Sequence, residues 1–460
     1  MTVRTDLPKI VSARWDVADA HTLDGYLRTG GYEGLRRALA LQPNEVVDIV
    51  TGATVQGRGG AGFPAGNKWH FLDTAAFPHW IVVNGDESEP GTHKDRTLME
   101  RDPHQLIEGA LIAAYACKAS QVFLYVRGEM AFAQERIATA LNDAYANNYV
   151  GKNILGSEFS VDITLHWGAG AYIVGDETAL LESLEGKRGM PRPKPPYFPA
   201  VMGLYMNPTI VNNVETLSNL PWIMVNGAEA FAAIGSEKSN GTRLIAVSGH
   251  VKRPGTYEVE CGVVTFREVF YDRSLGGGIR DDNDLKAFIP GGGSAPWFFE
   301  EHLDMPLDPT VVGPAGSMLG SGAIVAMDST TDMVRACWRL VKFYANESCG
   351  KCTPCREGTS WLETILARII EGHGRAEDLD LLLDVSDNIS PGPFPGPNVT
   401  PGEAAYAPFP YKKTTICDLG PSVVSPLMSA LRRFRPEFDA YIARNPRKLI
   451  SVTAEVPAHA

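Results

Sequence analysis

Hydrophobic positions in the first part of the chain recur at helical spacing. Up to about Thr51, the residues Tyr32, Leu35, Leu39 and Leu41 give a partly amphipathic pattern, which Pro43 interrupts. A helix that presents one apolar stripe must bury it against another element. The pattern therefore predicts a small N-terminal cap of helices.

From about residue 80 the pattern alternates between short apolar runs and helical stretches. The runs Ile81 to Val83 and Val122 to Val126 predict strands. Helices are predicted to open at Asp102 and to lie between about Glu129 and Tyr145. Strands that alternate with helices are typical of a parallel sheet covered by helices. The sequence therefore predicts an α/β fold with a Rossmann-like domain.

Beyond Gly227 the pattern becomes rich in β signals. Apolar runs at Leu244 to Val247 and Thr310 to Val312, separated by glycine turns, predict strands of a small α+β module. From Asp332 helical periodicity returns, and a later helix is predicted from Leu379 to Val385. These changes divide the chain into 1–64, 65–236, 237–328 and 329–460.

In the last region, a predicted amphipathic helix lies on each side of the three closely spaced cysteines. Met333, Cys337, Leu340, Val341 and Tyr344 share one helical face, and Leu362, Ile365, Leu366, Ile369 and Ile370 share another. The intervening cysteines are predicted to lie in a turn between the two helices. The stretch 390–413 holds seven prolines, which exclude regular secondary structure, and we predict a surface insertion that touches a partner.

Composition narrows the class of protein. The chain has 460 residues, 44% hydrophobic and 21% charged, which is enough for three or four packed units. Its longest apolar run, Leu106 to Ala116, contains Glu108 and is too short to cross a bilayer, so we expect a cytoplasmic protein. The formal charge of −12 disfavours nucleic acid as a partner.

Four of the seven cysteines form the most specific pattern. Cys349, Cys352 and Cys355 recur at two-residue intervals, and Cys417 lies far downstream in T-I-C-D-L-G. Three close thiols with a remote fourth favour a [4Fe–4S] cluster. A zinc site, which also takes four thiolates, and unrelated buried cysteines remain alternatives.

A glycine-rich run, Gly57 to Gly62, satisfies G-x-G-x-x-G but follows a predicted helix instead of a strand. The dinucleotide fingerprint requires a strand before the glycines and a helix after them. The run nevertheless allows the backbone to lie against a flat ligand, with Arg58 and Lys68 available for its charged end. A plain flexible loop is the alternative.

Two further segments have the character of ligand-facing turns. Gly168 to Thr178 leads into an apolar helix that ends at Gly186. In the segment P-T-I-V-N-N-V-E-T, Asn212 is the predicted helix cap, with Glu215 three residues later. Free N–H groups at such a helix start suit a phosphate, although an ordinary capped helix explains the same pattern.

An acidic turn, N-G-D-E-S-E-P-G, follows the first predicted strand. Parallel sheets bind ligands at the carboxyl ends of their strands. Asp86, Glu87 and Glu89 would repel phosphate but can accept hydrogen bonds from ribose hydroxyls. A solvated acidic loop is the alternative.

Taken together, the segments G-R-G-G-A-G-F-P-A-G-N-K-W, N-G-D-E-S-E-P-G-T-H-K-D-R, G-A-G-A-Y-I-V-G-D-E-T-A-L-L-E-S-L-E-G, P-T-I-V-N-N-V-E-T and E-S-C-G-K-C-T-P-C-R-E-G resemble one family. It is the NADH-binding flavoprotein subunit of respiratory complex I, the bacterial NADH-quinone oxidoreductase, with relatives in NAD-linked hydrogenases and formate dehydrogenases. The resemblance implies FMN held by the glycine loops, NADH stacked on FMN and a [4Fe–4S] cluster in a helical C-terminal domain. Leu244 to Gly262 resembles the ubiquitin-like, SLBB-type module of that family.

The resemblance also implies roles for individual residues. Around FMN it puts Gly57, Arg58, Gly59, Gly60, Lys68, Asn84, Asp86, Glu87, Ser88, Tyr172, Gly175, Asp176, Glu177, Asn212, Asn213 and Thr216. Glu87 and Glu89 would position NADH, together with Phe63, Phe71 and Phe198. Cys349, Cys352, Cys355 and Cys417 would bind the cluster. No side chain is expected to act as acid or base, because the cofactors carry the chemistry.

Three departures from the family pattern are visible. Val174 stands where relatives commonly have a cysteine, and Asp176 where they have a glutamate. An extra residue near Tyr197 and Phe198 leaves open which ring meets the adenine. The third is the long interval between Cys355 and Cys417, which contains the proline-rich stretch.

The function that the resemblance implies is NADH oxidation by a complex I subunit that passes electrons towards quinone. The implied partners are the thioredoxin-like [2Fe–2S] subunit and the large iron–sulfur subunit of complex I. Membrane contact would occur only through other subunits, at the inner face of the plasma membrane. The alternatives are a diaphorase subunit of an NAD-linked hydrogenase or formate dehydrogenase, and a non-catalytic metal-binding scaffold.

Overall fold

Four short helices precede the first strand in the computed structural model, which describes residues 7–391 and 413–444. They are α1 (Leu23–Arg28), α2 (Glu33–Leu39), α3 (Pro43–Gly52) and α4 (Ala65–His70). Tyr32 and Leu35 are fully buried, and Leu39 and Leu41 pack against the same core, as the helical spacing predicts. Pro43 does not end a helix but opens α3, where its missing N–H costs nothing.

Four parallel strands then form a sheet in the order β3-β2-β1-β4. The strands are β1 (Trp80–Gly85), β2 (Gln121–Val126), β3 (Asp162–Trp167) and β4 (Thr209–Asn213). The helices of this region are α5 (Lys94–Arg101), α6 (Pro103–Ala116), α7 (Ala131–Ala146), α8 (Glu177–Leu184), α9 (Pro199–Met202), α10 (Val214–Ser218), α11 (Leu220–Asn226) and α12 (Ala228–Ala232). The alternation of strands and helices confirms the predicted parallel-sheet α/β fold.

Strand β1 separates two hydrophobic cores. Ile81 and Val83 face the core that contains α6 and the N-terminal helices, whereas Val82 faces a core shared with the C-terminal helices. Successive side chains of a strand point to opposite faces, so a continuous apolar run suits a strand buried on both sides. Asp102 caps α6 by accepting a hydrogen bond from the backbone N–H of Gln105 (3.3 Å), as predicted.

A second, mixed sheet has the order β8-β7-β10-β9, and a two-residue hairpin precedes it. Its elements are β5 (Gly235–Ser236), β6 (Ser239–Asn240), β7 (Thr242–Gly249), β8 (Gly255–Glu260), α13 (Phe266–Tyr271), β9 (Leu285–Ile289), α14 (Pro309–Val312) and β10 (Ala323–Asp328). The central strands β7 and β10 are parallel, and each pairs with an antiparallel edge strand. Helix α13 packs on this sheet through Phe266, Val269 and Phe270, and Val312 of α14 joins the same core, so this region combines a sheet with short helices.

The predicted strand at Thr310 to Val312 is wrong, because these residues form most of the short helix α14. Asp308 caps this helix by accepting a hydrogen bond from the N–H of Thr310 (2.8 Å), and Pro309 occupies its first position. The cap and the proline therefore outweigh the β preference of Val311 and Val312.

The described part of the chain ends in a helical region. Its helices are α15 (Met333–Glu347), α16 (Thr353–Ile370), α17 (Asp378–Ile389) and α18 (Leu419–Arg444). Cys349 and Cys352 lie in the turn between α15 and α16, but Cys355 already belongs to the first turn of α16. Residues 392–412 of the predicted proline-rich insertion lie outside the described residues. Within the described ranges, no helix has the length and apolar character needed to cross a membrane.

Candidate functional site

Four turns meet at the carboxyl end of the parallel sheet. The backbone N–H of Arg58 donates to the hydroxyl of Thr216 (2.9 Å), which joins the glycine-rich run to the start of α10. Asn84 donates through Nδ2 to the carbonyl of Gly175 (3.0 Å), which joins the end of β1 to the turn before α8. The three glycine-rich or capped segments and the acidic turn are therefore neighbours, as expected for the ligand end of such a sheet.

The glycine-rich run lies between α3 and α4 and leaves one side open. Gly60 has φ +134° and Gly62 has φ +71°, conformations that favour glycine, and no heavy atom lies within 4 Å of a Cβ placed at either position. A Cβ at Gly59 would come within 3.2 Å of the Asn213 Cβ. The run is thus pressed against the β4–α10 turn on one side and accessible to a ligand on the other.

The side chain of Arg58 does not serve the open side of this run. It is only 2% exposed, and its Nη2 donates to the carbonyls of Asn240 (3.2 Å) and Thr242 (2.9 Å). The predicted use of this guanidinium for the charged end of a ligand therefore does not agree with the structure. Only the backbone of Arg58 remains at the glycine-rich run.

Lys68 instead supplies positive charge at the site. Its Nζ donates to Glu177 Oε2 (2.7 Å) and to the carbonyl of Val211 (2.9 Å), and Lys194 donates to the other oxygen of Glu177 (2.8 Å). Burial alone would raise the pKa of Glu177, but the two lysines outweigh it and lower the pKa to about 2. Glu177 is consequently ionised and holds both ammonium groups beside the turn.

In the acidic turn, Asp86 carries an incompletely bonded buried carboxyl group. Ser88 donates to Asp86 Oδ2 (3.0 Å), whereas Oδ1 is buried without a hydrogen-bond partner among the described residues. Burial raises the pKa of Asp86 to about 7, against the lowering effect of Ser88. A Cβ at Gly175 would lie 3.7 Å or more from Asp86 and Ser88, so this glycine faces the turn at ordinary contact distance.

Glu87 points away from the open side of the site. Its two carboxylate oxygens accept the backbone N–H groups of Asp95 (2.8 Å) and Arg96 (2.9 Å) at the start of α5. Burial, followed by the charge of Asp95, raises the pKa of Glu87 to about 8. The carboxyl group therefore acts as a cap for α5, and its predicted contact with NADH has no support in the geometry.

Glu89 lies where three regions of the chain meet. It accepts hydrogen bonds from the hydroxyl of Tyr172 (2.7 Å), the backbone N–H of Ser294 (2.6 Å) and the hydroxyl of Tyr344 (3.2 Å). Burial raises its pKa, which these three donors oppose. The carboxyl group is thereby held in one orientation at the edge of the site.

The cap of α10 is Asn213 and not the predicted Asn212. Asn213 Oδ1 accepts from the N–H groups of Glu215 (3.0 Å) and Thr216 (3.4 Å), whereas Asn212 Oδ1 accepts from the indole N–H of Trp69 (3.0 Å). Strand β4 runs to Asn213, so the capping position lies one residue later than predicted. Glu215 does not complete a capping box, because it turns inward.

The turn before α8 contains the first of the sequence departures, Val174 and Asp176, and gives a physical reason for each residue. Asp176 caps α8 by accepting from the N–H groups of Thr178 (2.9 Å) and Ala179 (3.2 Å). Aspartate is among the preferred residues at this position. Val174 is buried, and a Cβ at Gly189 would come within 2.6 Å of its methyl group, so Val174 serves as packing.

Three predicted nucleotide-binding rings are unusually exposed. Phe63, Phe71 and Phe198 have exposed fractions of 48%, 64% and 51%. The rings of Phe63 and Phe71 form a tilted pair with centroids 6.0 Å apart. Tyr197 is less exposed than Phe198. Exposed aromatic rings at the mouth of a site offer stacking surface to a planar ligand.

The four predicted cluster ligands are gathered in the helical region. Burial is the main reason that the pKa of Cys355 is raised to about 11; the Ser348 hydroxyl opposes it, and Cys352 and Cys349 add smaller increases. Burial raises the pKa of Cys417 to about 12, with smaller contributions from Asp176, Cys355 and Cys349. Cys355, Cys417 and Val174 of the turn before α8 belong to one hydrophobic core, against which Cys349 and Cys352 pack, so Cys417 joins this region despite its separation in sequence.

The donor set fits the groups that the sequence suggests. Four thiols that pack in or against one hydrophobic core, three of them close in sequence and one remote, suit a [4Fe–4S] cluster. Across residues 7–391 and 413–444, no three His, Cys, Asp or Glu side chains are arranged to hold one metal ion. For a flavin, the open backbone of the glycine-rich run, the ammonium group of Lys68 and the unpaired Asp86 Oδ1 offer complementary surfaces.

Several residues of the site escape sequence reasoning. Lys94, at 1% exposure, is four residues before the fully buried Leu98 on α5, and that helical spacing is a signal for burial. Ser294 and Tyr344 contact Glu89 across 205 and 255 positions of sequence, for which no local pattern exists.

Comparisons with known proteins agree with this geometry. The Nuo51 FMN-binding domain model matches residues 50–222, and the iron–sulfur binding region of NADH-ubiquinone oxidoreductase F matches residues 335–394. The chain is 48% identical to NADH-quinone oxidoreductase F of Streptomyces coelicolor, over 95% of this chain and 91% of the relative. It is 48% identical to the Mycobacterium bovis protein of the same name, over 96% and 95%, and 41% identical to that of Rickettsia felis, over 92% and 94%.

Solved structures show the same fold. The chain is 31% identical to a chain in the crystal structure of an NAD+-reducing [NiFe]-hydrogenase in its H2-reduced state, with a TM-score of 0.77. The match covers 96% of this chain and 68% of the hydrogenase chain. Both the full-length identity and the two matched domain models show that this chain belongs to the NADH-quinone oxidoreductase F family.

Proposed function

We propose that this chain binds NADH beside FMN and conducts the resulting electrons through its [4Fe–4S] cluster to partner subunits of an NADH-quinone oxidoreductase. When bound, FMN accepts a hydride from NADH, and the cluster carries single electrons. One observation carries the proposal. The turn before α8 borders both sites, because Tyr172 bonds Glu89 on the flavin side while Val174 packs in the same hydrophobic core as Cys355 and Cys417.

The proposed FMN site uses backbone more than side chains. The run that contains Gly57, Gly59 and Gly60 is open at Gly60. Lys68 gives positive charge, and Asn84, Asp86, Ser88 and Gly175 line the end of β1. In this arrangement Asp86 Oδ1 gains the hydrogen-bond partner that it lacks. Asn212, Asn213, Thr216, Asp176 and Glu177 then support the turns, and their contact with FMN is indirect or through backbone.

The proposed NADH site lies over the flavin and towards the exposed rings. Phe63 and Phe71 provide a paired apolar surface for the adenine, and Phe198, with the greater exposure, is preferred to Tyr197. Glu89 is fixed by three donors and keeps lone pairs for a ribose hydroxyl. A second carboxylate is not needed, since Glu87 caps α5.

The cluster ligands of the proposal are Cys349, Cys352, Cys355 and Cys417. The domain boundaries follow the four predicted ranges: helical cap 1–64, flavin domain 65–236, ubiquitin-like module 237–328 and iron–sulfur domain 329–460. The change from parallel sheet to mixed sheet after α12 and the start of α15 at Met333 support these limits. Membership of the family implies other subunits of a complex.

For partners we propose the thioredoxin-like [2Fe–2S] subunit and the large iron–sulfur subunit of the same complex, in its peripheral arm at the inner face of the plasma membrane. A diaphorase subunit of a hydrogenase is the second candidate, because the solved hydrogenase chain matches 96% of this chain. That chain is substantially longer, whereas the NADH-quinone oxidoreductase relatives match along nearly their full length at higher identity. The first candidate is therefore favoured.

Optical spectroscopy of the purified full chain tests the proposal. We expect a flavin band and a broad iron–sulfur absorbance, and anaerobic NADH should bleach the flavin band. NADPH added at the same concentration is the control and should bleach it far more slowly. Protein that lacks a flavin, or whose flavin does not respond to NADH, would contradict the proposed function. Chains that copurify with the protein then separate the complex I assignment from the hydrogenase assignment.

A further inference from the structure

The glycine-rich run, the acidic turn after β1, the turn before α8 and the start of α10 are called the flavin-side turns below. A cluster of charged side chains lies buried behind them. Lys94, Asp95 and Glu215 are 1%, 3% and 1% exposed. Lys94 Nζ lies 2.8 Å from Asp95 Oδ1 and 2.7 Å from Glu215 Oε2, so a single ammonium group bridges two carboxylates. None of the three residues has a role in the function proposed above. Their burial nevertheless demands an explanation, because buried charges are retained only when they are paired.

The two carboxylates hold the turns that surround the proposed flavin site. Asp95 Oδ2 accepts a hydrogen bond from Asn213 Nδ2 (2.7 Å), and the other end of the Asn213 amide caps α10. Asn213 is also the residue against which Gly59 packs. A continuous series of contacts thus runs from Lys94 through Asp95 and Asn213 to the glycine-rich run.

Glu215 extends this network to the second sheet. Its Oε1 accepts from the backbone N–H of Leu244 at the start of β7 (2.7 Å) and lies 4.0 Å from Arg58 Nε. Arg58 is the residue whose backbone N–H bonds Thr216. Glu215 therefore lies between the buried guanidinium of Arg58 and the start of β7, one position before the threonine that bonds the Arg58 backbone.

The electrostatics make Lys94 the central member. Burial alone would lower the pKa of Lys94, but Asp95 and Glu215 outweigh burial and raise it. Without the ammonium group, two carboxylates would face each other in the interior, and at least one would take up a proton or move. Either change would release Asn213 or the start of β7.

Resting on the proposed function, we propose that Lys94 is a positioning residue for flavin binding, which fixes Asn213 and the glycine-rich run against each other through Asp95 and Glu215. Lys94 does not contact the flavin in this proposal. It sets the shape of the backbone cradle before the flavin arrives, and preorganised residues of this kind raise affinity by reducing the ordering cost of binding.

The test is the FMN dissociation constant of the full chain after its flavin has been removed, measured by quenching of FMN fluorescence. Lys94→Met is expected to weaken FMN binding about tenfold or more, the effect typical of residues that orient a ligating group. Because Lys94→Met leaves two unpaired buried carboxylates, a charge-matched variant with Lys94→Met and Asp95→Asn is measured beside it. That double variant should also bind FMN at least about tenfold more weakly.

Arg368→Met provides a matched control, since Arg368 pairs with the buried Asp378 in the helical region, away from the flavin-side turns. Thermal midpoints of all variants are measured in the same samples. A Lys94 double variant that folds and binds FMN as tightly as the wild type would overturn the inference. So would loss of FMN affinity in Arg368→Met at an equal loss of stability. Wild-type protein that takes up no FMN at all would instead overturn the proposed function together with this inference.

Discussion

The flavin-side turns and the cysteine site differ in how far their polar groups are already paired. Around β1, Glu87 and Glu89 accept two and three hydrogen bonds from protein donors. At the cysteine site, the contacts in the described part of the chain are few, and they include the Ser348 hydroxyl at 3.2 Å from Cys355. Burial there raises the pKa of the Cys355 and Cys417 thiols, so the protein by itself does not stabilise their thiolate forms.

This difference separates two ways of building a cofactor site. The flavin-side turns are shaped by bonds within the protein, so their geometry exists without the ligand. Thiols become good iron ligands only as thiolates, and the positive charge of the cluster must supply the stabilisation that the protein does not. We therefore expect single substitutions to abolish the cluster but only to weaken nucleotide binding.

The largest effect is expected from Cys355→Ser. Cys355 is held by the first turn of α16 and neighbours two of the other thiols, so its loss removes one corner of the cluster. Iron and acid-labile sulfide should fall at least about tenfold, since the remaining thiols cannot offset the missing thiolate. Chemical iron analysis and the visible spectrum measure the change.

Cys337→Ala is the control for this variant, because Cys337 is buried on α15 of the same helical region but is not a predicted ligand. It should keep its iron despite some loss of stability. Equal iron loss in both variants would mean that the cysteine effect is one of packing. A Cys355→Ser protein that keeps its cluster would contradict the expectation that a single substitution at the cysteine site abolishes the cluster.

A smaller effect is expected from Glu89→Gln. The carboxylate would repel the 2′-phosphate of NADPH, and the amide would not. We expect the ratio of kcat/KM for NADH to that for NADPH to fall about tenfold, which corresponds to about 1.4 kcal/mol. Steady-state rates with an artificial acceptor measure the ratio.

Tyr344→Phe removes one donor to Glu89 but keeps the charge, so it controls for lost orientation. Its selectivity should stay closer to the wild type. If Glu89→Gln leaves the NADH to NADPH ratio unchanged, Glu89 does not discriminate between the two nucleotides.

Local interactions explain which parts of this structure could be predicted from the sequence. The start of α6 was predictable because Asp102 and Pro103 act on neighbouring backbone groups. The error at Thr310 to Val312 arose because an apolar run of three residues has no helical or strand period of its own. There the cap at Asp308 decided the outcome.

The directions in which side chains point at the site were harder to predict from the sequence. Arg58 turns inward to carbonyls 182 and 184 positions away, and Glu87 turns to the start of α5 instead of the open side. Family motifs identify which residues surround a site, but the partner of each side chain depends on tertiary contacts. The one-residue shift of the cap from Asn212 to Asn213 has the same origin, since pairing with β1 extends β4.

A stability effect that depends on pH is expected from Glu177→Gln. The folded-state pKa of Glu177 is about 2, below the ordinary value of 4.5, so its stabilisation is present above about pH 4.5 and is lost as the pH falls towards 2. Because the three side chains are partly exposed, we expect a loss of about 1–3 kcal/mol in the free energy of unfolding at pH 7. Urea unfolding of metal-free protein at pH 7 and pH 3 measures it.

The difference between the variant and the wild type should be smaller at pH 3 than at pH 7, and it should vanish only as the pH falls below about 2. Glu33→Gln breaks an exposed pair with Arg37 and serves as a control that should change stability by less than about 0.5 kcal/mol. A difference between Glu177→Gln and the wild type that is the same at both pH values would show that packing, and not charge, is responsible.

The smallest effect is expected from Asp176→Glu, which introduces the residue that the family resemblance implies at this position. The shorter carboxylate caps α8, and the longer side chain reaches the N–H groups of Thr178 and Ala179 less well. We expect a loss of about 0.5–1 kcal/mol in unfolding free energy, with cluster content retained. Val174→Cys is the matched substitution in the same turn, and it should leave the cap intact while changing only the packing against Gly189. If Asp176→Glu instead altered the iron content, the turn before α8 would be part of the cluster site. Asp176 would then have to be grouped with the cysteines and not with the turns whose polar groups are paired within the protein.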